Sequence, residues 1–301
     1  MQDKYLSIDC FYMTCIRFSY IFSCCLCVLA TACGGGGRSV TVEDGMSSKT
    51  VTLFSSGLNG PKHMVFKDGN LYVANAGTHS IKNAQTGENY FSLNGFVPFG
   101  MALYGNDLFF TGTGSSAGIY KNQTNIVLRD NYYGIGFANG KLYVADNAYS
   151  QVATYDIANF NIVLETRAVP QGFLQGIGVS GSDVFVTVSA PGKVIKISGP
   201  TNDEMAWGSF SLPNAIVFDG TYAYIANKGD VNGDGGYISR KKMSDSSAAE
   251  VFIDGTTGNW KTNNPGFCGL AGLAISGSYL YASNGTCTSG NNANTVLKIK
   301  L

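Results

Sequence analysis

The sequence predicts an all-β chain folded as a six-bladed β-propeller. Three observations carry this: a strand-turn-strand unit repeated six times, a composition rich in glycine and aromatic residues, and a spare strand ahead of the first unit. The units are His63–Asn75 (HMVFKDGNLYVAN), Gly100–Phe109 (GMALYGNDLF), Gly134–Asp146 (GIGFANGKLYVAD), Gly176–Phe185 (GIGVSGSDVF), Asn214–Asn227 (NAIVFDGTYAYIAN) and Gly272–Asn284 (GLAISGSYLYASN). In each, an apolar strand meets a Gly, Asn or Asp turn, and a second strand centred on an aromatic follows. The anchors Tyr72, Phe109, Tyr143, Phe185, Tyr224 and Tyr281 recur at intervals of 34 to 57 residues. A four-stranded blade takes roughly 40 to 45.

Third and fourth strands complete each unit, as in Gln151–Ile157 with Asn161–Ala168 and Lys193–Ser198 with Glu204–Leu212. The sixth unit has only three strands, ending in Thr295–Leu301, while Lys49–Ser55 precedes the first. The N-terminal strand is therefore expected to complete the C-terminal blade, closing the ring and removing exposed sheet edges. Thirty-nine glycines against seven prolines, with 17 Tyr and 18 Phe, suit short strands and tight turns. The 45% hydrophobic content supports a large core and excludes disorder over the whole length. Twenty Lys and Arg balance twenty Asp and Glu, which argues against a basic nucleic-acid binder.

Residues 1–32 read as a leader. Phe18–Ala32 is an apolar run behind Lys4 and Arg17, and a start at Met1 or Met13 gives the same mature chain. The run ends Leu29-Ala30-Thr31-Ala32-Cys33, which resembles a bacterial lipoprotein cleavage box. Cys33 is then expected to carry lipid, with residues 33–48, including Gly34–Gly37, as a flexible tether to a propeller over 49–301. The implied location is the bacterial cell envelope, with the membrane reached only through the anchor. Cys268 and Cys287 are the two cysteines left, and in an exported protein an even pair reads as a disulfide. A hairpin turn centred between Gly277 and Ser278 sets them opposite one another.

The pattern Pro-x-x-apolar followed by Asp-Gly-x-Leu-Tyr-Val-Ala-Asp/Asn resembles NHL-repeat propellers and the related senescence-marker/gluconolactonase family, over about Lys49–Leu301. The resemblance implies loops on one face as the functional surface. Leading into the inner strands, a first ring comprises His63, Gly100, Gly134, Gly176, Asn214 and Gly272, its glycines expected to keep the channel narrow. A second ring comprises Asn75, Gly112, Asp146, Val188, Asn227 and Asn284. Gluconolactonase-like enzymes hold a divalent cation with a first-blade Glu and further Asn and Asp ligands, polarising a lactone carbonyl and activating water. Asn214, after Pro213, matches one ligand position. Asn59 and Asn227 stand where carboxylates are expected, and neutral amides make a weak cage without a general base.

Two readings follow. One is a binding module for an envelope protein, peptide or glycan, using His63, Asn214 and the aromatics Phe99, Tyr132, Tyr133, Phe173, Trp260 and Phe267. The same rings could instead pack between blades. The other reading is a divergent metal-dependent lactonase relying on His63 and Asn214. No His-Glu-x-x-His motif is present, the glycine-rich Gly112–Gly118 reads as a hairpin turn, and His63 and His79 are the two histidines. No cofactor is firmly implied, but Asp230, Asn232 and Asp234 alternate before Gly235 as in the first half of a Ca2+ loop, with Lys241 in place of the usual twelfth-position Glu.

Overall fold

The second strand of each unit is apolar at consecutive positions because both of its faces are covered. In Asn70–Asn75, Leu71 and Val73 pack toward the last blade, while Tyr72 and Ala74 pack toward the second. That arrangement needs a sheet on either side of every sheet, and a closed ring of blades supplies it. A computed structural model describes residues 39–42, 49–129, 131–169, 172–199, 201–254, 267–285 and 293–301. The leader, Cys33, Trp260 and Cys287 lie outside the described residues.

Among the described residues, six antiparallel sheets make up nearly all of the structure, with one 3-10 turn at Ala76–Thr78. The inner strands are Pro61–Lys67, Phe96–Tyr104, Tyr132–Ala138, Leu174–Ser180, Pro213–Phe218 and Leu270–Ser276, here blades 1 to 6. Each touches the next around the ring, and that of blade 6 touches that of blade 1. Lys49–Ser55 pairs with Thr295–Lys300 as the fourth strand of blade 6, closing the ring as the spare strand predicted. A further strand, Ser39–Val42, pairs outside it, within the segment expected to be tether. The hydrophobic core divides into six clusters, one at each junction between neighbouring blades.

Two local expectations need correction. The fourth strand of blade 4 is only Asp203–Glu204, not Glu204–Leu212. Beyond it Gly208 takes a positive φ of 103°, and Trp207 and Phe210 turn in to pack with Phe185 rather than alternating along a sheet edge. In blade 6 the register runs evenly from Ser276↔Tyr279 to Gly272↔Ser283, then slips so that Leu270 faces Asn284 instead of Gly285. The constant register of the hairpin therefore ends at Gly272, short of Cys268. Cys268 is buried and disulfide-bonded.

Candidate functional site

All six inner strands slip register at the same end. The slips fall between Pro61 and Met64, Pro98 and Met101, Tyr132 and Ile135, Leu174 and Ile177, Pro213 and Ala215, and Leu270 and Gly272. A β-bulge of this kind re-aims the side chains it contains. The first bulge residues are Lys62, Phe99, Tyr133, Gln175, Asn214 and Ala271, and together with His63 they line a cavity of about 30 Å3. Every blade contributes one of them, so the cavity is the mouth of the central channel.

This register revises the rings read from sequence. Asn214 belongs with Lys62 and Phe99, and Ala215 occupies the place taken elsewhere by His63 and the glycines. Lys62, Gln175 and Ala271 were missed because the repeats were aligned on their glycines. The prolines carry the better signal, since Pro61-Lys62, Pro98-Phe99 and Pro213-Asn214 all place the mouth residue directly after Pro. The ring glycines do not set the channel width either. A Cβ on Gly134 would run into the Gln175 carbonyl, and one on Gly272 would lie 2.8 Å from the Cα of His63. They are small because the neighbouring blade's bulge presses against them.

In the second ring, Asn75 and Asn284 hold the incoming loops. Asn75, Asp146, Asn227 and Asn284 are fully buried. Asn75 Oδ1 accepts from the Asn59 N–H at 2.7 Å, and Asn284 Oδ1 accepts from the Cys268 N–H at 3.2 Å. Their side chains tie the incoming loop to the sheet rather than facing a ligand. Asp146 accepts from the Ala148 N–H at 3.1 Å and from Gln151 at 3.2 Å, with Arg129 at 3.7 Å.

The expected aromatic rim divides. Tyr132 is fully buried, its hydroxyl hydrogen-bonded to that of Tyr155 in the core between blades 2 and 3. Phe267 is 5% exposed and packs between blades 5 and 6. Both are corrected from ligand contacts to core, because each precedes a bulge and so keeps the inward phase of its strand or loop. Phe99, Tyr133 and Phe173 do form an arc at the mouth, with centroids 4.5 Å apart for the first pair and 5.0 Å for the second. Phe173 is 44% exposed.

Two basic side chains complete the site. Lys62 Nζ sits 5.5 Å from the Phe99 ring centroid, and burial, then the charge of Lys228, holds its ammonium below the usual lysine pKa. Among the described residues neither Lys62 nor Lys228 pairs with a carboxylate. Lys228 Nζ donates to the Val231 carbonyl at 2.7 Å. His63 hydrogen-bonds the Asn214 backbone, reaching past blade 6 to blade 5, and desolvation, reinforced by Lys62, lowers its pKa from 6.5 to about 4. The imidazole is thus neutral and weakly basic at neutral pH, a poor general base.

That shift also predicts a pH dependence. Between about pH 6.5 and pH 4 the unfolded chain binds a proton at His63 that the folded chain does not, so the stability present above pH 6.5 is lost as pH falls. The loss attributable to this residue should reach about 2 to 3 kcal/mol near pH 4. Urea denaturation at pH 7 and pH 4.5 should show a smaller difference for His63→Gln than for wild type. An equal difference would remove His63 as the cause.

The donor set does not fit the divalent cation of the resembled enzymes. Asn59 is exposed, its amide laid against Gly77. Asn214 Nδ2 is engaged by the Leu270 carbonyl at 2.7 Å. Asn227 Nδ2 donates to Ser239 Oγ at 3.0 Å, and its buried Oδ1 has no hydrogen-bond partner among the described residues. These are three neutral amides with two lysines nearby, where a hard cation needs carboxylates. In the Ca2+-like loop, Asp230 Oδ1 accepts the N–H groups of Asn232 at 2.8 Å and Asp234 at 2.9 Å, which is the geometry of an Asx-type turn. The Lys228 ammonium holds the Val231 carbonyl of that same loop.

The fold and its mouth define the class: a six-bladed β-propeller among whose structural neighbours are lactonase, sugar dehydrogenase and lyase propellers. A gluconolactonase from Xanthomonas campestris superimposes with TM-score 0.64 at 10% identity, over 85% of this chain and 91% of its own. The PQQ-bound aldose sugar dehydrogenase of Streptomyces coelicolor gives 0.62 at 14%, over 84% and 98%. A catalytically inactive virginiamycin B lyase from Staphylococcus aureus, with quinupristin, gives 0.54 at 11%, over 88% and 99%. At these identities the likeness is one of fold. The sequence matches no protein-family model and no curated protein.

Proposed function

We propose that this protein is a binding module, held at the bacterial envelope by lipid on Cys33, that takes its ligand at the channel mouth. The observation that carries this reading is the composition of the mouth. An aromatic arc of Phe99, Tyr133 and Phe173 stands over a small polar cavity, the usual plan of a ligand site with an apolar wall and a few convergent polar groups. The lactonase reading is weaker, because its cation would have to sit beside Lys62 without a carboxylate, and His63 is a poor base.

Envelope glycans, peptides and small metabolites screened by thermal shift supply the ligand. Phe99→Ala and Tyr133→Ala should then weaken its binding by about 1 to 3 kcal/mol while leaving the fold intact. Stoichiometric divalent metal in the purified protein, with chelator-sensitive hydrolysis of a lactone, would overturn the reading in favour of a hydrolase. The anchor is tested separately. Cys33→Ser should release the protein from membranes, and mass spectrometry of the wild-type N-terminus should find a lipidated cysteine.

A further inference from the structure

The mouth is electrostatically one-sided. Lys62 comes from the blade 1 bulge, and Lys228 follows the second strand of blade 5 at Tyr222–Asn227. The two are close enough for the charge of Lys228 to depress the Lys62 pKa, and no carboxylate appears among the groups acting on Lys62. The one acid of the second ring, Asp146, is buried and engaged by Gln151, the Ala148 N–H and Arg129. Asp230, beside Lys228, has its Oδ1 occupied by backbone N–H groups. A partly buried ammonium without a counter-ion is costly, and an anion seated against it removes that cost.

The remaining groups at the cavity are neutral and suit such a guest. Gln175 lines it with an amide that has no hydrogen-bond partner among the described residues. His63 is uncharged and contributes no negative charge. The volume of about 30 Å3 admits a head group only, since one water needs roughly 10 to 15 Å3 of such space and two or three atoms fill it. The rest of the ligand must lie outside, on the arc of Phe99, Tyr133 and Phe173, of which Phe173 is 44% exposed. An aromatic or other flat apolar body fits that wall.

From this we infer that the channel mouth is a carboxylate site: it takes an organic anion whose carboxylate enters between Lys62 and Gln175 and whose apolar body stacks on the aromatic arc. The inference rests on the mouth being the binding site, and it names the ligand class. A carboxylate is favoured over a phosphate because the cavity is narrow and a planar head group is the smaller guest.

Titration calorimetry of the full mature chain with indole-3-acetate, indole-3-acetamide and inorganic phosphate tests this. Indole-3-acetate is expected to bind at least tenfold more tightly than its neutral amide, and more tightly than phosphate. Lys62→Met should weaken indole-3-acetate binding at least tenfold, and Lys62→Arg should recover part of the loss. At alkaline pH, binding should also be accompanied by proton uptake, read from its heat in two buffers of different ionisation enthalpy, because the bound anion raises the lowered Lys62 pKa toward its ordinary value. Equal binding of amide and acid, with dependence on Phe99 and Tyr133 kept, would overturn the carboxylate assignment while preserving the mouth as the ligand site. Phosphate binding as tightly as indole-3-acetate would also overturn it. Failure of all three probes at millimolar concentration would count against the mouth as a small-molecule site and so against both readings.

Discussion

Gly134→Ala is expected to destabilise the propeller by about 3 kcal/mol, and Gly134→Val by more. The reason is purely steric. A Cβ at residue 134 would lie 2.5 Å from the Ile177 N and 2.7 Å from the Gly176 carbonyl carbon, as well as colliding with the Gln175 carbonyl. All three obstacles are backbone of the next blade, so no side-chain rotation relieves them and the blades must part. Gly140 supplies the control. It sits in a hairpin turn at φ of 69° with nothing within 4 Å of a built Cβ, so Gly140→Ala should cost only the backbone strain of about 1 to 2 kcal/mol. Urea denaturation of the three variants checks the ordering. A Gly134→Ala protein as stable as wild type would mean that the blades can spread without loss.

Removal of the N-terminal strand should do more damage than any single substitution. A chain beginning at Ser56 is expected to lose its cooperative unfolding transition and to aggregate. Lys49–Ser55 provides the pairing that covers Thr295–Lys300, with Val51 opposite Ile299 and Leu53 opposite Leu297. Its alternate side chains also serve two different junctions. Val51 joins the cluster between blades 5 and 6, while Phe54 packs on Tyr281, ring centroids 5.0 Å apart, in the cluster between blades 6 and 1. Deletion would expose an unpaired edge and open the core at both sides of the seam. Circular dichroism and light scattering of the truncated chain report the outcome, and a synthetic peptide of residues 39–55 should restore the transition when added in trans. A truncated protein that melts cooperatively near the wild-type temperature would show that the ring holds without its closing strand.

Much of this was legible along the chain. Apolar strands such as Leu71–Ala74 and Leu142–Ala145 are local signals of sheets buried on both faces, and the turns Asp68-Gly69 and Asn139-Gly140 are local signals of hairpins, with all four turn residues at positive φ. The spare strand at Lys49 needed only counting. These features depend on neighbours a few residues away, or on a repeat that can be compared with itself.

The site depended on something else. A bulge adds one residue to a strand, marked in the sequence only in the three blades where proline precedes it, and that residue decides whether a side chain points into the core or the channel. Tyr132 and Tyr133 are adjacent and chemically identical, yet Tyr132 bonds Tyr155 in the core while Tyr133 stacks on Phe99 at the mouth. Lys62 looks like an ordinary surface lysine until the ring closes and brings Phe99 and Lys228 around it. The six blades, their closure and the hairpin turns could be read along the chain, because periodicity and turn chemistry are short-range. Which residues meet at the mouth, and what charge they present there, depends on the closed ring, because those neighbours come from six blades spread over more than two hundred residues of chain.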